Sequence, residues 1–171
     1  MRINNEIVYI VNPGNDTGIS SLINDSAFPA LSPLALGTWI EKYVPEVKVV
    51  ARDGGGFYTQ VYILEEIRSL KPGIIGVSVL GKSYLNCLEI AKCGKECGSV
   101  IIFGNDHASQ LSHQILMKRP YVDFIIGIEY GELPFELLVR SLMSGTTTDL
   151  PKIPNICYRG AKGEILGYQY D

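Results

Sequence analysis

The sequence predicts an α/β domain built on a doubly wound, mainly parallel sheet of five strands, with a short C-terminal strand extension. Short β-rich runs alternate with helix-spaced runs five times, the central run 74–80 is almost wholly apolar, and glycine or polar residues follow each β-rich run. Such alternation implies crossover connections between parallel strands. An apolar central strand implies helices on both faces, and right-handed crossovers then make the sheet doubly wound, as in flavodoxin-like and Rossmann-like domains.

The first β-rich run, 6–12, predicts a buried strand that ends at Pro13. The polar stretch 14–31 is too long for a tight connection, and loops of this length are usually functional or disordered. Ser32 as N-cap and Pro33 at the first helical position predict the start of the first helix.

The remaining elements follow from the same two periodicities of two and 3.6 residues. We expect further strands over 47–51, 74–80, 100–103 and 122–126. We expect further helices over 59–70, 84–96, 108–117 and 131–143, the last of them starting near Leu133. The tail holds two short strand-like runs around a glycine-bounded turn, which predict a hairpin or an edge addition. We therefore divide the chain into an α/β domain, 1–150, and a C-terminal strand extension, 151–171.

Bulk composition narrows the possible functions. The 171 residues carry a formal net charge of −3, so no basic surface is available for nucleic acid. The apolar run at the N-terminus covers about six residues, too few for a membrane span and wrongly arranged for a signal peptide. We predict a cytoplasmic protein with neither a nucleic-acid nor a membrane partner.

Motifs for metal binding and catalysis are sparse. Cys93 and Cys97 lie one helical turn apart, but two thiols make at most half of a zinc site, and disulfides are not expected here. The only histidines are His107 and His113, and no G-x-S-x-G elbow accompanies them. The sequence therefore predicts no catalytic residue and no metal ligand in this chain.

The residues after the predicted strands point to a binding site. Ligands of open parallel sheets bind outside the carboxyl ends of the strands, where glycines allow a close approach of the backbone. The loops at these ends are 12–14, 53–56, 78–81, 104–107 and 127–132. Neither a P-loop nor a G-x-G-x-x-G is present, and Ser78 stands where a response regulator would have its phosphoacceptor aspartate. Five such loops at one edge predict a large ligand.

Three of these loops resemble motifs of cobalamin-binding domains of the methionine synthase and mutase type. Those domains carry D-x-H-x-x-G, S-x-L and G-G after strands two, three and four. Here Asp53 opens the first motif, residues 78–80 complete the second, and 104–105 keep half of the third. Gly55 stands in place of the histidine, and Tyr58 in place of the final glycine.

The missing histidine is typical of the domain that precedes the barrel in many cobalamin-dependent radical S-adenosylmethionine enzymes. This chain resembles that domain in its Asn-Pro strand end, its P-L-A-L-G helix, its K-P-x-I-I-G-V-S strand and three later motifs. The matching segments are 12–13, 33–37, 71–78, 104–109, 123–132 and 156–165. The resemblance covers essentially the whole chain, in order.

The resemblance implies that cobalamin binds base-off, with its dimethylbenzimidazole tail between the Ser78 and Gly104 loops. The corrin ring would lie near 12–14, 53–57 and Gly81. Ser78 would hydrogen-bond the buried base, and Leu80 would pack against the ring or the tail. The implied cofactor-binding residues are Asn12, Pro13, Gly14, Asp53, Gly54, Gly55, Ser78, Leu80, Gly81, Gly104, Asn105, His107, Gly127 and Glu129. His107 is expected near the tail rather than on the cobalt, and Asp53 either binds corrin amides or caps the following helix.

In the enzymes that the chain resembles, a following barrel binds S-adenosylmethionine and a [4Fe-4S] cluster. The resemblance implies that this chain is a non-catalytic cofactor domain whose partner is such a missing radical S-adenosylmethionine domain, and we favour a fragment over a standalone carrier.

Two other functions stay open. Asn105 and Tyr58 are the departures that favour a degenerate scaffold without cobalamin, and Thr17, Ser20 and Ser21 would suit the phosphate loop of a flavodoxin-like flavin or nucleotide binder.

Overall fold

One seven-stranded sheet organises the part of the chain that our computed structural model describes, residues 3, 5–15, 30–128, 130–146 and 148–168. Its strands are β1 (Ile7–Asn12), β2 (Lys48–Asp53), β3 (Ile74–Ser78), β4 (Val100–Gly104), β5 (Phe124–Ile126), β6 (Ile156–Arg159) and β7 (Ile165–Gly167). The helices are α1 (Leu31–Tyr43), α2 (Gln60–Leu70), α3 (Tyr84–Glu96), α4 (Asp106–Gln110), α5 (Ser112–Lys118) and α6 (Glu132–Ser144). Short 3₁₀ turns lie at Gly81–Ser83 and Leu150–Lys152.

The strand order is β2-β1-β3-β4-β5-β6-β7. Strands β1 to β5 pair in parallel, which confirms the predicted five-stranded sheet. β6 pairs antiparallel with β5, and β7 with β6, which confirms the C-terminal strand extension. The division of the chain at residue 150 stays a prediction. The order reverses at β1, between β2 and β3, and such a reversal opens a crevice at the carboxyl ends of the strands.

Alternate residues of the strands face two separate hydrophobic layers. On one face, Tyr9, Val77 and Phe103 pack in the layer that α2 to α5 cover. On the other face, which we call the α1/α6 face, Ile10 and Ile102 pack in the layer that α1 and α6 cover. Helices on both faces explain why β3 is almost wholly apolar. Within the described residues, no helix combines the length and the apolar character needed to cross a membrane.

A partly buried ion pair joins β1, β2 and α2. Arg52 donates to both carboxylate oxygens of Glu66, at 2.8 Å from Nε and 2.6 Å from Nη2, and the Tyr9 hydroxyl donates to Glu66 at 2.8 Å. The side chains of Arg52 and Glu66 are 23 % and 14 % exposed. Burial by itself raises the pKa of Glu66, but the hydrogen bonds from Arg52 and Tyr9 outweigh it and hold that pKa below its ordinary value.

The start of α1 differs from the prediction. The helix begins at Leu31, so Ser32 lies inside it and is not the N-cap residue. The N-cap residue, Ala30, has no capping side chain. Its backbone N–H donates instead to Asp53 Oδ2 at 2.7 Å. A contact from the end of β2 therefore replaces the local cap that the sequence predicts.

Other predicted bounds also differ from the structure, including the end of β2 at Asp53 and the start of β5 at Phe124. The predicted helix over 108–117 is two helices, α4 and α5, because Leu111 leaves the helical region with φ −107° and ψ 17°. β3 ends at Ser78, two residues earlier than predicted. The carbonyl of Leu80 accepts a 3.1 Å hydrogen bond from the N–H of Ser83, which turns the chain into a 3₁₀ turn instead of continuing the strand.

Candidate functional site

Two adjoining clefts open at the carboxyl edge of the sheet, where the strand order reverses. The inner cleft, of about 270 Å³, lies between the α1/α6 face and helices α1 and α6. The outer cleft, of about 230 Å³, lies at the ends of β1, β2 and β3. Both clefts are lined by Ser32, Ser78 and Asn105, which therefore mark their junction. The predicted site residues that line at least one cleft are Asn12, Pro13, Asp53, Ser78, Leu80, Gly104, Asn105 and Gly127.

Small residues open the inner cleft. Gly76 and Ser78 on β3, and Gly104 on β4, all lie on the α1/α6 face, with Ser78 paired to Gly104. A Cβ atom on Gly104 would meet no atom within 4 Å, so this position faces open space. A Cβ atom on Gly76 would lie 3.1 Å from the ring of Phe135, so the ring takes up the room beside that glycine. The absence of larger side chains along β3 and β4 leaves the space that forms the cleft.

Most residues that line the inner cleft are apolar, and polar side chains lie where it joins the outer cleft. Its lining includes the apolar residues Ile10, Pro33, Ala35, Leu36, Ile102, Ile126, Ile128 and Phe135, together with the charged residue Glu132. The polar side chains of Ser32, Ser78 and Asn105 stand at the junction. Pockets that bind small molecules have this character, mostly apolar with a few polar groups that fix orientation. The inner cleft suits an apolar group that carries few hydrogen-bonding atoms.

Ser78 and Asn105 are hydrogen-bonded to each other at this junction. Asn105 Nδ2 donates to Ser78 Oγ at 3.1 Å. Asn105 has φ 79° and ψ 171°, a conformation that is essentially confined to glycine. The backbone at this position is therefore the one that the second glycine of the G-G motif would adopt without strain.

Asp53 organises the floor of the outer cleft. Its Oδ1 accepts from Asn12 Nδ2 at 2.9 Å and from the Gly55 N–H at 3.0 Å, while its Oδ2 accepts from Ala30. Burial raises the pKa of Asp53, but these hydrogen bonds outweigh burial and lower that pKa from its ordinary value. Of the two alternatives for Asp53, capping of the following helix is wrong, because Thr59 caps α2 and Asp53 binds the residue before α1. Binding of corrin amides by Asp53 stays a prediction.

The glycines after β1 and β2 shape the loops and do not line either cleft. A Cβ atom on Gly14 would lie 2.1 Å from the carbonyl oxygen of Gly54, so the two loops touch backbone to backbone. Gly54 also donates its N–H to the carbonyl of Asn12 at 2.7 Å. Gly55, which replaces the histidine of the motif, uses its N–H to bind Asp53. These three predicted site residues support the outer cleft from outside its lining.

The structure does not bring His107 or Gly81 into the lining of either cleft. The His107 ring packs against the ring of Tyr84, with centroids 5.0 Å apart, and its Nδ1 lies 3.4 Å from the position of a Cβ atom on Gly81. Glu129 lies outside the described residues, as do Thr17, Ser20 and Ser21 of the flavin alternative. Contact of these residues with a cofactor stays a prediction.

Several residues that line the clefts were not predicted as site residues, among them Ser32, Gly76, Lys82 and Phe135. Gly76 carried a usable signal, because a glycine inside a buried strand often marks a close approach of a ligand or another backbone. Ser32 and Phe135 lie on helices that approach the site only after the sheet has assembled, and no local pattern distinguishes them from ordinary helix residues.

The cysteines lie apart from the clefts. Burial raises the pKa of Cys87 to about 12, and burial also raises the pKa of Cys93. In the ranges that the structure describes, no three or more His, Cys, Asp or Glu side chains form a group suited to a metal ion.

Solved structures of similar shape exist, although no family model and no curated protein matches the chain. The cobalamin-dependent S-adenosylmethionine radical enzyme OxsB, with aqua-cobalamin and S-adenosylmethionine bound, matches 98 % of this chain at a TM-score of 0.77 and 23 % identity. The radical S-adenosylmethionine methyltransferase TsrM from Kitasatospora setae, with its tryptophan substrate and an analogue of S-adenosylmethionine bound, matches 92 % of this chain at a TM-score of 0.69 and 15 % identity.

These matches concern one part of each enzyme. The chain spans 22 % of the OxsB chain and 29 % of the TsrM chain. OxsB without cofactors also matches, at a TM-score of 0.68 over 98 % of this chain. At identities below a quarter, the matches are evidence about backbone architecture. The chain has the α/β fold of the corresponding part of OxsB and TsrM.

Proposed function

We propose that this chain is a cobalamin-binding domain that holds the cofactor base-off, with the lower base in the inner cleft and the corrin ring over the outer cleft. The observation that carries the proposal is the inner cleft itself, which Ser78 and Gly104 leave open at the carboxyl edge of the sheet. Ser78 of the S-x-L motif and the Gly104-Asn105 pair line this cleft. The fold shared with cobalamin-bound OxsB supports the same assignment.

The residues present fit the lower base of a corrinoid. An aromatic base needs an apolar slot, which Ile10, Ile102 and Phe135 supply. It also needs a hydrogen-bonding partner for its ring nitrogen, a role that the Ser78 hydroxyl would fill. The polar outer cleft, with Asn12 and Lys82 in its lining, suits the amide-bearing rim of a corrin ring.

The proposal includes no cobalt ligand from this chain. Gly55 stands where the histidine of the D-x-H-x-x-G motif would be, and His107 packs on Tyr84 outside the lining of both clefts. When bound, cobalamin supplies a cobalt centre that carries a methyl group or exchanges electrons. The chain's own residues would bind the tail, orient the ring and shield the buried base from water.

A following radical S-adenosylmethionine domain would be the partner of this chain, and it would hold S-adenosylmethionine and a [4Fe-4S] cluster in a cytoplasmic enzyme. The small share of OxsB and TsrM that the chain spans supports this part of the proposal. Methyl transfer or related radical chemistry would then belong to the assembled enzyme.

Titration with hydroxocobalamin tests the proposal. Purified protein is mixed with the corrinoid, desalted and examined by absorbance, and the sample is then reduced to cob(II)alamin for electron paramagnetic resonance. We expect about one equivalent of retained corrinoid and no nitrogen superhyperfine splitting. His107→Ala should give the same spectrum, and splitting that vanishes in this variant would show that His107 binds the cobalt.

Two further outcomes would favour the alternatives. Loss of all corrinoid on desalting, from protein that remains folded, would favour a scaffold that has lost cobalamin. Retention of flavin mononucleotide in a parallel titration, without retention of corrinoid, would favour a flavodoxin-like flavin binder.

A further inference from the structure

The side-chain amide of Asn105 is held in one orientation at the junction of the two clefts. Its Oδ1 accepts a 2.7 Å hydrogen bond from the backbone N–H of Asp106. Because a backbone N–H can only donate, the other end of the amide has to be the NH₂ group. That group donates to Ser78 Oγ at 3.1 Å.

The backbone of Asn105 makes this arrangement costly to build. Its φ of 79° and ψ of 171° belong to a region that disfavours every residue with a side chain. Glycine would adopt the same conformation without strain. What asparagine adds here is its pair of side-chain hydrogen bonds, one to its own loop and one to Ser78.

The bond from Asn105 determines what the Ser78 hydroxyl offers to a ligand. A hydroxyl that accepts a hydrogen bond still has its single hydrogen to donate. Among the described residues, Ser78 Oγ has this one hydrogen bond, and nothing accepts its hydrogen. Because Ser78 lines both clefts, that hydrogen is available to a ligand.

We infer that Asn105 is a positioning residue that makes Ser78 a hydrogen-bond donor toward the inner cleft, so that the cleft selects lower bases with an acceptor nitrogen. The inference rests on the proposed function. The benzimidazole of cobalamin has such a nitrogen once it has left the cobalt. The phenolic lower base of p-cresolyl cobamide has none, and it would leave the Ser78 donor unsatisfied in a buried place.

The test compares three corrinoids on the whole 171-residue chain. Dissociation constants are measured for cobalamin, p-cresolyl cobamide and cobinamide, which lacks a lower base, with wild type and the variants Ser78→Ala, Asn105→Asp and Asn105→Gly. Free cobalamin has to release its base from cobalt before it binds, whereas p-cresolyl cobamide does not. This cost belongs to the free corrinoid and is equal for every variant, so changes in the ratio of the two affinities report on the protein.

Each variant has its own expected result. Ser78→Ala should lower the preference for cobalamin over p-cresolyl cobamide about tenfold, the usual effect of one lost hydrogen bond. Asn105→Asp should lower it by a similar factor, because the carboxylate accepts the Ser78 hydrogen and turns it away from the cleft. Asn105→Gly should lower it by only about threefold, because the hydroxyl is then free to rotate. Affinity for cobinamide should change little throughout.

The inference is overturned if Asn105→Asp keeps the wild-type preference while Ser78→Ala loses it, or if neither variant changes the preference. The inference is also overturned if Asn105→Gly keeps the wild-type preference for cobalamin over p-cresolyl cobamide. This variant is expected to fold, because it removes backbone strain. If none of the three corrinoids binds to the folded wild-type chain, the proposed function fails, which is a different result from unchanged ratios.

Discussion

Asp53 Oδ2 accepts a 2.7 Å hydrogen bond from the backbone N–H of Ala30, the residue that precedes α1. One carboxylate therefore joins the end of β2 to the start of the helix that walls the inner cleft. Its other oxygen binds Asn12 and Gly55, so the loops after β1 and β2 are held by the same side chain. The outer cleft depends on the charge state of this carboxylate.

Asp53→Asn should destabilise the fold by about 1–3 kcal/mol, because the amide places a donor against groups that can only donate. Urea unfolding at neutral pH measures the loss, and Asp106→Asn, at the exposed start of α4, is the matched control. A loss no larger than that of the control would show that the three hydrogen bonds add nothing to stability.

The contribution of Asp53 should depend on pH with a defined sign. Because the native pKa lies below its ordinary value, the stabilisation is fully present above the unfolded pKa of about 3.9 and is lost as pH falls through the native pKa. The difference in unfolding free energy between wild type and Asp53→Asn should therefore shrink as the pH is lowered below about 4. A difference that grows on acidification would contradict the assignment.

Glu66→Gln should cost about 2–3 kcal/mol of unfolding free energy, because the Arg52 guanidinium loses its charged partner in a partly buried place. Glu65→Gln is the control, since Glu65 is the exposed neighbour of Glu66 on the same helix. Equal urea midpoints for the two variants would indicate that solvent screens the Arg52–Glu66 pair as if it lay on the surface.

Gly104→Leu should abolish corrinoid retention and leave the fold intact. A Cβ atom at this position meets open space, so the longer side chain would enter the inner cleft, where the lower base is proposed to lie. Gly104→Ala is the matched control and should bind nearly as wild type does. Retention of corrinoid by the folded Gly104→Leu protein would place the base elsewhere.

Two glycine-to-alanine variants should have opposite outcomes. Gly14→Ala should destabilise the chain by more than about 1 kcal/mol, because the new Cβ atom would lie 2.1 Å from the Gly54 carbonyl oxygen. Gly37→Ala should be neutral or stabilising by up to about 1 kcal/mol, since it lies inside α1 and its Cβ atom would make an ordinary 3.4 Å contact. Thermal unfolding of both variants distinguishes these outcomes, and equal shifts would contradict the loop contact.

The order of the elements could be predicted from sequence because each signal is local. Alternating periodicities and the residues after each strand are visible within short windows, and they predicted the parallel sheet and the loops at its edge. Contacts between distant segments were not visible in this way. Asp53 binds Ala30, the residue before a helix that precedes it in the chain, and Phe135 reaches the inner cleft from α6.

The candidate site was predictable to a similar extent. Residues at strand ends, such as Ser78 and Gly104, line the clefts because topology alone brings strand ends together. Residues inside the loops depend on the path that each loop takes. The ring of His107 packs against the ring of Tyr84. The spacing of residues in the sequence does not predict this contact.

The position of β1 between β2 and β3 has a consequence for how the chain folds. β1 precedes both of its partner strands in the chain. β2 follows it after α1, and β3 follows after α1 and α2. Both neighbours of β1 in the sheet are distant in sequence, and neither forms a hairpin with it. The apolar side chains of β1 therefore stay exposed until β2 and β3 have been made and have paired with it. Sheets dominated by such distant pairing fold slowly, and an incomplete chain that lacks β3 would expose one flank of β1 to aggregation.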